Sequence, residues 1–154
     1  MIREARRDEA NLLAAIQRDA SLAANAHIFP PELYPFPLSE VTERWQGFLD
    51  DPAVEVLVFE EGGVAVGVAG SRAEWLDGLY VVPEWWGRGP GRSLHDQVLA
   101  RQRARGVARC SLWVLEENAR ARRFYERLGW RGNGETRAVP FPPHPLDVGY
   151  SIEL

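Results

Sequence analysis

The sequence predicts an α/β (α+β) fold built on one sheet, and three observations carry that prediction. Apolar residues alternate with period two in some segments and recur with a helical period in others, so both element types are present. In chain order the signals run strand, helix, helix, three strands, helix, strand, helix, and the strand–helix alternation of the second half is the pattern of helices packed on a sheet. A strand-like run also ends at Val82-Pro83, and the chain then passes through the Gly-rich turn Gly87-Arg88-Gly89-Pro90-Gly91 into a helix. With 154 residues, the chain is long enough to bury a core and is expected to form a single domain over 1–154.

Each element has its own signal. Ile2 to Ala5 reads as a short first strand. Asp8 to Ala24 carries Leu12, Leu13, Ile16 and Ala20 at helical spacing, with Asp8 as the expected N-cap. The stretch Ile28 to Pro37 is too rich in proline for a helix or a central strand. Ser39 to Leu49 reads as a second helix with Ser39 as N-cap. Val54–Phe59 and Val64–Ala69 form a hairpin around Glu60–Gly63, and 74–82 is the strand that feeds the Gly-rich turn. Pro90 to Arg105 is a helix with Leu94, Val98 and Leu99 inward and Gly106 as its stop. Ala108 to Leu115 is a strand, and Ala119 to Leu128 is a helix ended by Gly129.

Composition narrows the function classes. The chain has one cysteine, Cys110, so no internal disulfide forms. Its alternation with Leu112 and Val114 predicts a buried apolar role rather than a reactive thiol. The charged N-terminus does not read as a signal peptide, no run approaches membrane-spanning length, and a reducing, cytoplasmic setting is expected. Every basic side chain other than histidine is arginine, so no lysine is available as a Schiff base or general base. Residues 1–83 hold 14 acids and 6 arginines, net −8, and residues 84–154 hold 8 acids and 12 arginines, net +4. An anionic ligand therefore suits the second half and a cation the first. The net charge of −4 and the lack of a basic stripe disfavour nucleic acid. His27, His95 and His144 have no metal-ligand spacing, so no metal site is expected. His95, in the helix after the Gly-rich turn, is expected at the surface.

A strand, a Gly-rich turn and a helix start together make an anion site, because the first helical N–H groups lack partners and the dipole is positive there. Two phosphate loops fail on spacing. A Walker A loop needs Gly where Trp86 stands and Lys where Arg92 stands. A dinucleotide fingerprint needs a third Gly at Arg92 or Leu94. What remains is G-x-G-x-G after Val-Pro.

A second motif follows at Asn118-Ala119-Arg120-Ala121-Arg122-Arg123-Phe124-Tyr125-Glu126-Arg127-Leu128-Gly129-Trp130. Together with Val82-Pro83-Glu84-Trp85-Trp86-Gly87-Arg88-Gly89-Pro90-Gly91-Arg92, this resembles the GNAT superfamily of N-acetyltransferases, closely over 54–132 and more loosely before. The family pairs Q/R-x-x-G-x-G/A with N-x-x-A-x-x-F-Y-E-x-x-G-F. The resemblance implies a mixed, mostly antiparallel central sheet of six to seven strands with helices on both faces. It also implies acetyl-CoA as cosubstrate. The backbone of Tyr80, Val81 and Val82 would pair with the pantetheine arm as an added strand. The N–H groups between Gly87 and Arg92, including Gly89 and Gly91, would hold the pyrophosphate, and Arg88 or Arg92 would add charge. Asn118 would lie near pantetheine and Tyr125 near the thioester sulfur. Two positions depart from the pattern. Trp86 replaces the usual Gln or Arg, and Pro90, which has no N–H, replaces Ile or Leu but suits a first helical turn.

The implied reaction is N-acetyl transfer to a primary amine by direct attack in a ternary complex, with a strand N–H near Val81 polarising the carbonyl. Tyr125 is the candidate acid on the leaving thiolate. The family's base on the fourth strand aligns with Trp75, which cannot serve. Glu74, Asp77, Glu116, Glu117 and water remain open. Tyr34, Phe36, Phe141 and His144, in Pro-rich loops, are candidates to border the acceptor, which would be a small-molecule amine or a protein N-terminus. Homodimers are common among such relatives. The alternatives are an acyl-CoA-binding module without turnover and a nucleotide-binding module.

Overall fold

The computed structural model describes residues 1–154. Seven strands form one sheet: β1 (Ile2–Glu4), β2 (Val54–Glu61), β3 (Val64–Arg72), β4 (Trp75–Val81), β5 (Arg109–Leu115), β6 (Arg131–Ala138) and β7 (Leu146–Glu153). Their order is β1-β2-β3-β4-β5-β7-β6. Every neighbouring pair is antiparallel except β4 and β5. The β2–β3 hairpin turns at Gly62 and Gly63, with φ of +59° and +78°, the left-handed pair that a two-residue hairpin loop requires.

Four helices cover the sheet: α1 (Ala10–Asn25), α2 (Leu38–Asp50), α3 (Pro90–Ala104) and α4 (Ala119–Arg127). Helices α1 and α2 close over Val56, Val58 and Val68 through Leu13, Ile16 and Trp45. On the opposite face Leu94, Val98 and Leu99 of α3 and Tyr125 of α4 pack with Leu57, Ala69, Leu76, Cys110 and Leu112. The period-two alternation of the strands divides their apolar side chains between these two cores. Cys110 is fully buried, and burial pushes its thiol up to about 12, so it behaves as a small apolar residue.

Several local expectations are corrected. Neither Asp8 nor Ser39 caps a helix. The residues preceding α1 and α2 are Glu9 and Pro37, and neither makes a side-chain cap. Glu9 instead takes Arg3 through both carboxylate oxygens at 2.8 and 2.7 Å and the Arg6 N–H at 2.6 Å, which ties β1 to the start of α1. His95 is 3% exposed rather than at the surface. It lies on the same stripe of α3 as Leu94, Val98 and Leu99, and its ring nitrogens both find partners, the exposed Asp96 at 2.8 Å and the buried Trp130 at 2.8 Å.

Candidate active-site cleft

The site begins with an irregularity in β4. Its register on β3 passes from Gly70↔Gly78 to Ser71↔Leu76, so Asp77 is an extra residue that bulges the strand. Next to it, β4 and β5 pair only at Trp75↔Ser111, with the Ser111 N–H donating to Glu74 O at 2.8 Å. Beyond that point the two parallel strands part and leave one edge of β4 unpaired.

Strand parity shows which peptide groups face that gap. The Val82 N–H donates to Val66 O at 2.9 Å, so residue 82 is turned toward β3, and Tyr80 with it by alternation. Leu79 and Val81 are turned the other way. The indole Nε1 of Trp86 donates to Val81 O at 2.7 Å, in keeping with this orientation. Of the three residues expected to offer backbone to a ligand, Val81 is turned toward the gap; Tyr80 is turned toward β3, and Val82 spends its N–H on Val66 O at 2.9 Å and its C=O on the Trp85 N–H at 3.0 Å. Leu79, not singled out from the sequence, takes their place.

After β4 a short 3-10 turn, Pro83–Trp85, leads into the Gly-rich segment. Gly87 has φ +73° and Gly89 has φ +109°, a region that side chains with a Cβ avoid. Gly89 precedes α3 and Pro90 opens it, where the missing N–H costs no helical bond. The Arg88 N–H donates to Trp85 O at 3.3 Å, and the first i→i−4 bond of the helix is Ser93 N–H to Gly89 O at 3.0 Å. The N–H groups of Gly87, Gly89, Gly91 and Arg92 are left without backbone partners, and these residues line the cleft at the positive end of α3. That donor set suits a phosphate.

The third wall is α4. Asn118 is its N-cap, with Oδ1 accepting from the Ala121 N–H at 3.1 Å, which leaves the amide NH2 uncommitted to the cap. Asn118, Ala121, Tyr125 and Leu128 follow at helical spacing along one face. Tyr125 is buried, and its hydroxyl is pushed well above the ordinary tyrosine value, by burial first and by the neighbouring Tyr80 and Cys110 after it.

These walls enclose a cleft of about 520 Å³. Tyr80, Val81, Gly87, Gly89, Gly91, Arg92, Asn118 and Tyr125 all line it. Val82 and Arg88 do not; the Arg88 guanidinium lies 4.6 Å from the Trp85 ring centre instead. Glu74 is exposed in the turn before β4, away from the cleft. Asp77 lies beneath α1 and α2 with Gln17, Arg44, Trp45 and Tyr80, and Tyr80 is the residue shared with the cleft. Burial raises the Asp77 carboxyl above the ordinary range, although Arg72 and Arg44 pull the other way. Its Oδ2 is buried without a hydrogen-bond partner.

Sequence reasoning missed the α1 wall, made of Ala20, Ser21, Ala24 and Asn25, and the cations Arg120 and Arg127. The arginines had a readable signal, since Arg120, Phe124 and Arg127 share a helical stripe next to Tyr125. The α1 wall had none, because it depends on how the helix crosses the sheet. Tyr34, Phe36, Phe141 and His144 are not among the cleft-lining residues. Their two loops nevertheless meet, through Phe29 and Phe141 with ring centres 5.8 Å apart. No helix is long and apolar enough to cross a membrane.

Comparison with known proteins adds four findings. Residues 20–130 match the acetyltransferase (GNAT) family. An N-acetyltransferase of Mycobacterium tuberculosis is 31% identical over 143 residues, covering 89% of this chain and 91% of that protein. A mycothiol acetyltransferase of Beutenbergia cavernae is 37% identical over 126 residues, covering 74% of this chain but 41% of that longer protein. Among solved structures, the PaiA N-acetyltransferase of Thermoplasma acidophilum in complex with coenzyme A superposes with a TM-score of 0.83 at 17% identity, covering 100% of this chain and 98% of that one.

Proposed function

The chain belongs to the acetyltransferase (GNAT) family, and from that premise we propose that it moves the acetyl group of acetyl-CoA to a primary amine by direct attack in a ternary complex. One observation carries this reading: Val81, opposite Gly67 on β3 but with its peptide N–H and C=O turned away from that strand, lines a cleft that also holds four N–H groups without backbone partners at the start of α3 and Tyr125 in its wall. The coenzyme A complex of the structural neighbour supports the choice of donor.

When bound, acetyl-CoA supplies a thioester carbonyl and a thiolate leaving group. The N–H groups of Gly87, Gly89, Gly91 and Arg92, with the Arg92 guanidinium, hold the phosphates. The Val81 N–H donates to the thioester oxygen as negative charge builds there. The amine nitrogen attacks the carbonyl carbon, the C–S bond breaks, and its electron pair leaves on sulfur. Tyr125 donates a hydrogen bond to that sulfur. An ordinary phenol, near pKa ~10, is already a weaker acid than a thiol near ~8.5. The burial that raises Tyr125 widens the gap, so its role is hydrogen bonding rather than complete proton transfer. Asp77 is the carboxylate assigned to take the amine's proton, its pocket meeting the cleft at the shared Tyr80. The raised carboxyl and orphaned Oδ2 support Asp77, whereas Glu74 is exposed in the turn before β4.

The test has two stages. Acetyl-CoA and CoA should raise the melting temperature and ATP should not. Thiol release should then appear with at least one acceptor from a panel of polyamines, aminoglycosides, peptide N-termini and the acceptor of the mycothiol acetyltransferases. Thermal protection by CoA with no release on any amine would favour the binding-module alternative; protection by ATP alone would remove the donor assignment.

A further inference from the structure

The indole of Trp86 spans the cleft from wall to wall. Its Nε1–H donates to Val81 O on β4 at 2.7 Å. The Arg120 guanidinium of α4 lies 3.6 Å from the centre of its ring. Both residues line the cleft. Each partner is one that a donor in this cleft needs. Val81 O is the acceptor that an added strand uses beside the Val81 N–H. Arg120 is a cation with no carboxylate partner, on the wall facing the start of α3. Trp86 is also placed to move, since it stands at the end of the 3-10 turn and immediately before Gly87 at φ +73°.

We propose that Trp86 is a built-in competitor for the acyl donor, an inference that rests on the donor reading above. The indole holds the Val81 carbonyl and stores Arg120 against its face. Donor entry takes the carbonyl, and the ring leaves by rotation about the Trp86–Gly87 junction. Arg120, released from the ring, joins Arg92 and the glycine N–H groups around the phosphates. Trp86 thereby sets donor affinity, because apparent affinity is the intrinsic affinity multiplied by the fraction of time the carbonyl is free. It also accounts for an aromatic residue where the family usually places Gln or Arg: the phosphate cation comes from Arg120 on α4 instead.

The experiment measures CoA affinity by calorimetry for the wild type, W86F and R120A, with circular dichroism to verify folding. W86F keeps an aromatic ring beneath Arg120 while losing the N–H and the second ring of the indole, so its Kd for CoA should fall about 3- to 10-fold. R120A should raise the Kd about 5- to 20-fold. A W86F affinity equal to or weaker than wild type overturns the proposal and leaves the donor reading intact. Failure of all three proteins to bind millimolar CoA overturns the donor reading and the competitor with it. Stopped-flow tryptophan fluorescence provides the second measurement. The observed rate for wild type should level off with rising CoA, limited by indole release, and this plateau should vanish in W86F. A wild-type rate that rises linearly to the highest CoA concentration overturns the proposal.

Discussion

Trp130 donates its indole N–H to Nε2 of His95 at 2.8 Å, with the two side chains 1% and 3% exposed. The other ring nitrogen, Nδ1, meets Asp96 Oδ1 at 2.8 Å. An accepting Nε2 and a carboxylate at Nδ1 assign the neutral Nδ1–H tautomer. The pair joins α3 to the start of β6 and stands edge-on to Phe124, with the His95 and Phe124 ring centres 6.3 Å apart. It therefore supports the helix that carries Tyr125.

Protonating His95 turns Nε2 into a donor facing another donor. Burial lowers its pKa, Arg92 and Arg103 add to that, and Asp96 opposes it. With the folded value below the unfolded one, the stabilisation is complete above the unfolded pKa of about 6.5 and is lost as pH falls toward the folded value. The melting temperature should drop below about pH 6.5 in the wild type. In His95→Gln, whose amide oxygen can accept from Trp130, the curve should be flatter through that window and start lower by roughly 1–2 kcal/mol. Parallel curves for the two proteins would show that His95 does not carry the pH dependence.

His95 also marks where sequence reading stopped. Sequence reading puts it at the surface although it shares a helical stripe with Leu94, Val98 and Leu99, because burial of an imidazole depends on Trp130, which lies in another element. The Gly-rich turn, the Asn118–Tyr125 helix and the burial of Cys110 were legible because each depends on residues close in sequence. The bulge at Asp77 was not legible. Nothing local marks it, yet it shifts β4 by one residue and places the Asp77 carboxyl under α1 and α2. Strand parity was readable in principle, since fixing Val82 on β3 decides that Val81 faces the gap. The partners of Trp86 were not, because Arg120 meets it only after α4 folds back over the turn.

Asn118 both caps α4 and lines the cleft, and two substitutions separate the cap from the proposed binding role. Its Oδ1 caps α4, and loss of such a cap costs about 1 kcal/mol. Asn118→Ala should lower the stability by that amount and weaken CoA binding. Asn118→Ser keeps a capping oxygen and should restore stability. If it also restores the CoA Kd, the contribution of Asn118 is the cap alone; if the Kd stays raised, the amide NH2 touches the donor.

Tyr125→Phe removes one hydroxyl that no other side chain in the protein engages. The packing against Phe124 and Trp130, with ring centres at 5.2 and 5.7 Å, should survive, and so should the melting temperature. Because the proposed hydrogen bond acts on charge that develops at sulfur, kcat should fall about 10- to 100-fold while the Kd for CoA changes little. The loss should be the same at pH 7 and pH 9, since the raised pKa keeps Tyr125 protonated at both. Unchanged kcat in the variant would remove Tyr125 from the mechanism.

Asp77 is tested through the pH–rate profile. Burial raises its carboxyl, so a proton-accepting Asp77 places the acid limb of kcat/KM above the ordinary carboxylate value of about 3.9. Asp77→Asn is nearly isosteric and leaves the weak 3.7 Å contact from Arg72 without its charge. It should lower kcat/KM at pH 7 by about 10²-fold. Raising the pH should then recover rate, because a primary amine with a pKa near ~10 supplies more of its neutral form unaided. The wild-type rate, already assisted by Asp77, should climb less over the same interval. An Asp77→Asn profile that keeps the wild-type shape and height would assign proton removal to water alone.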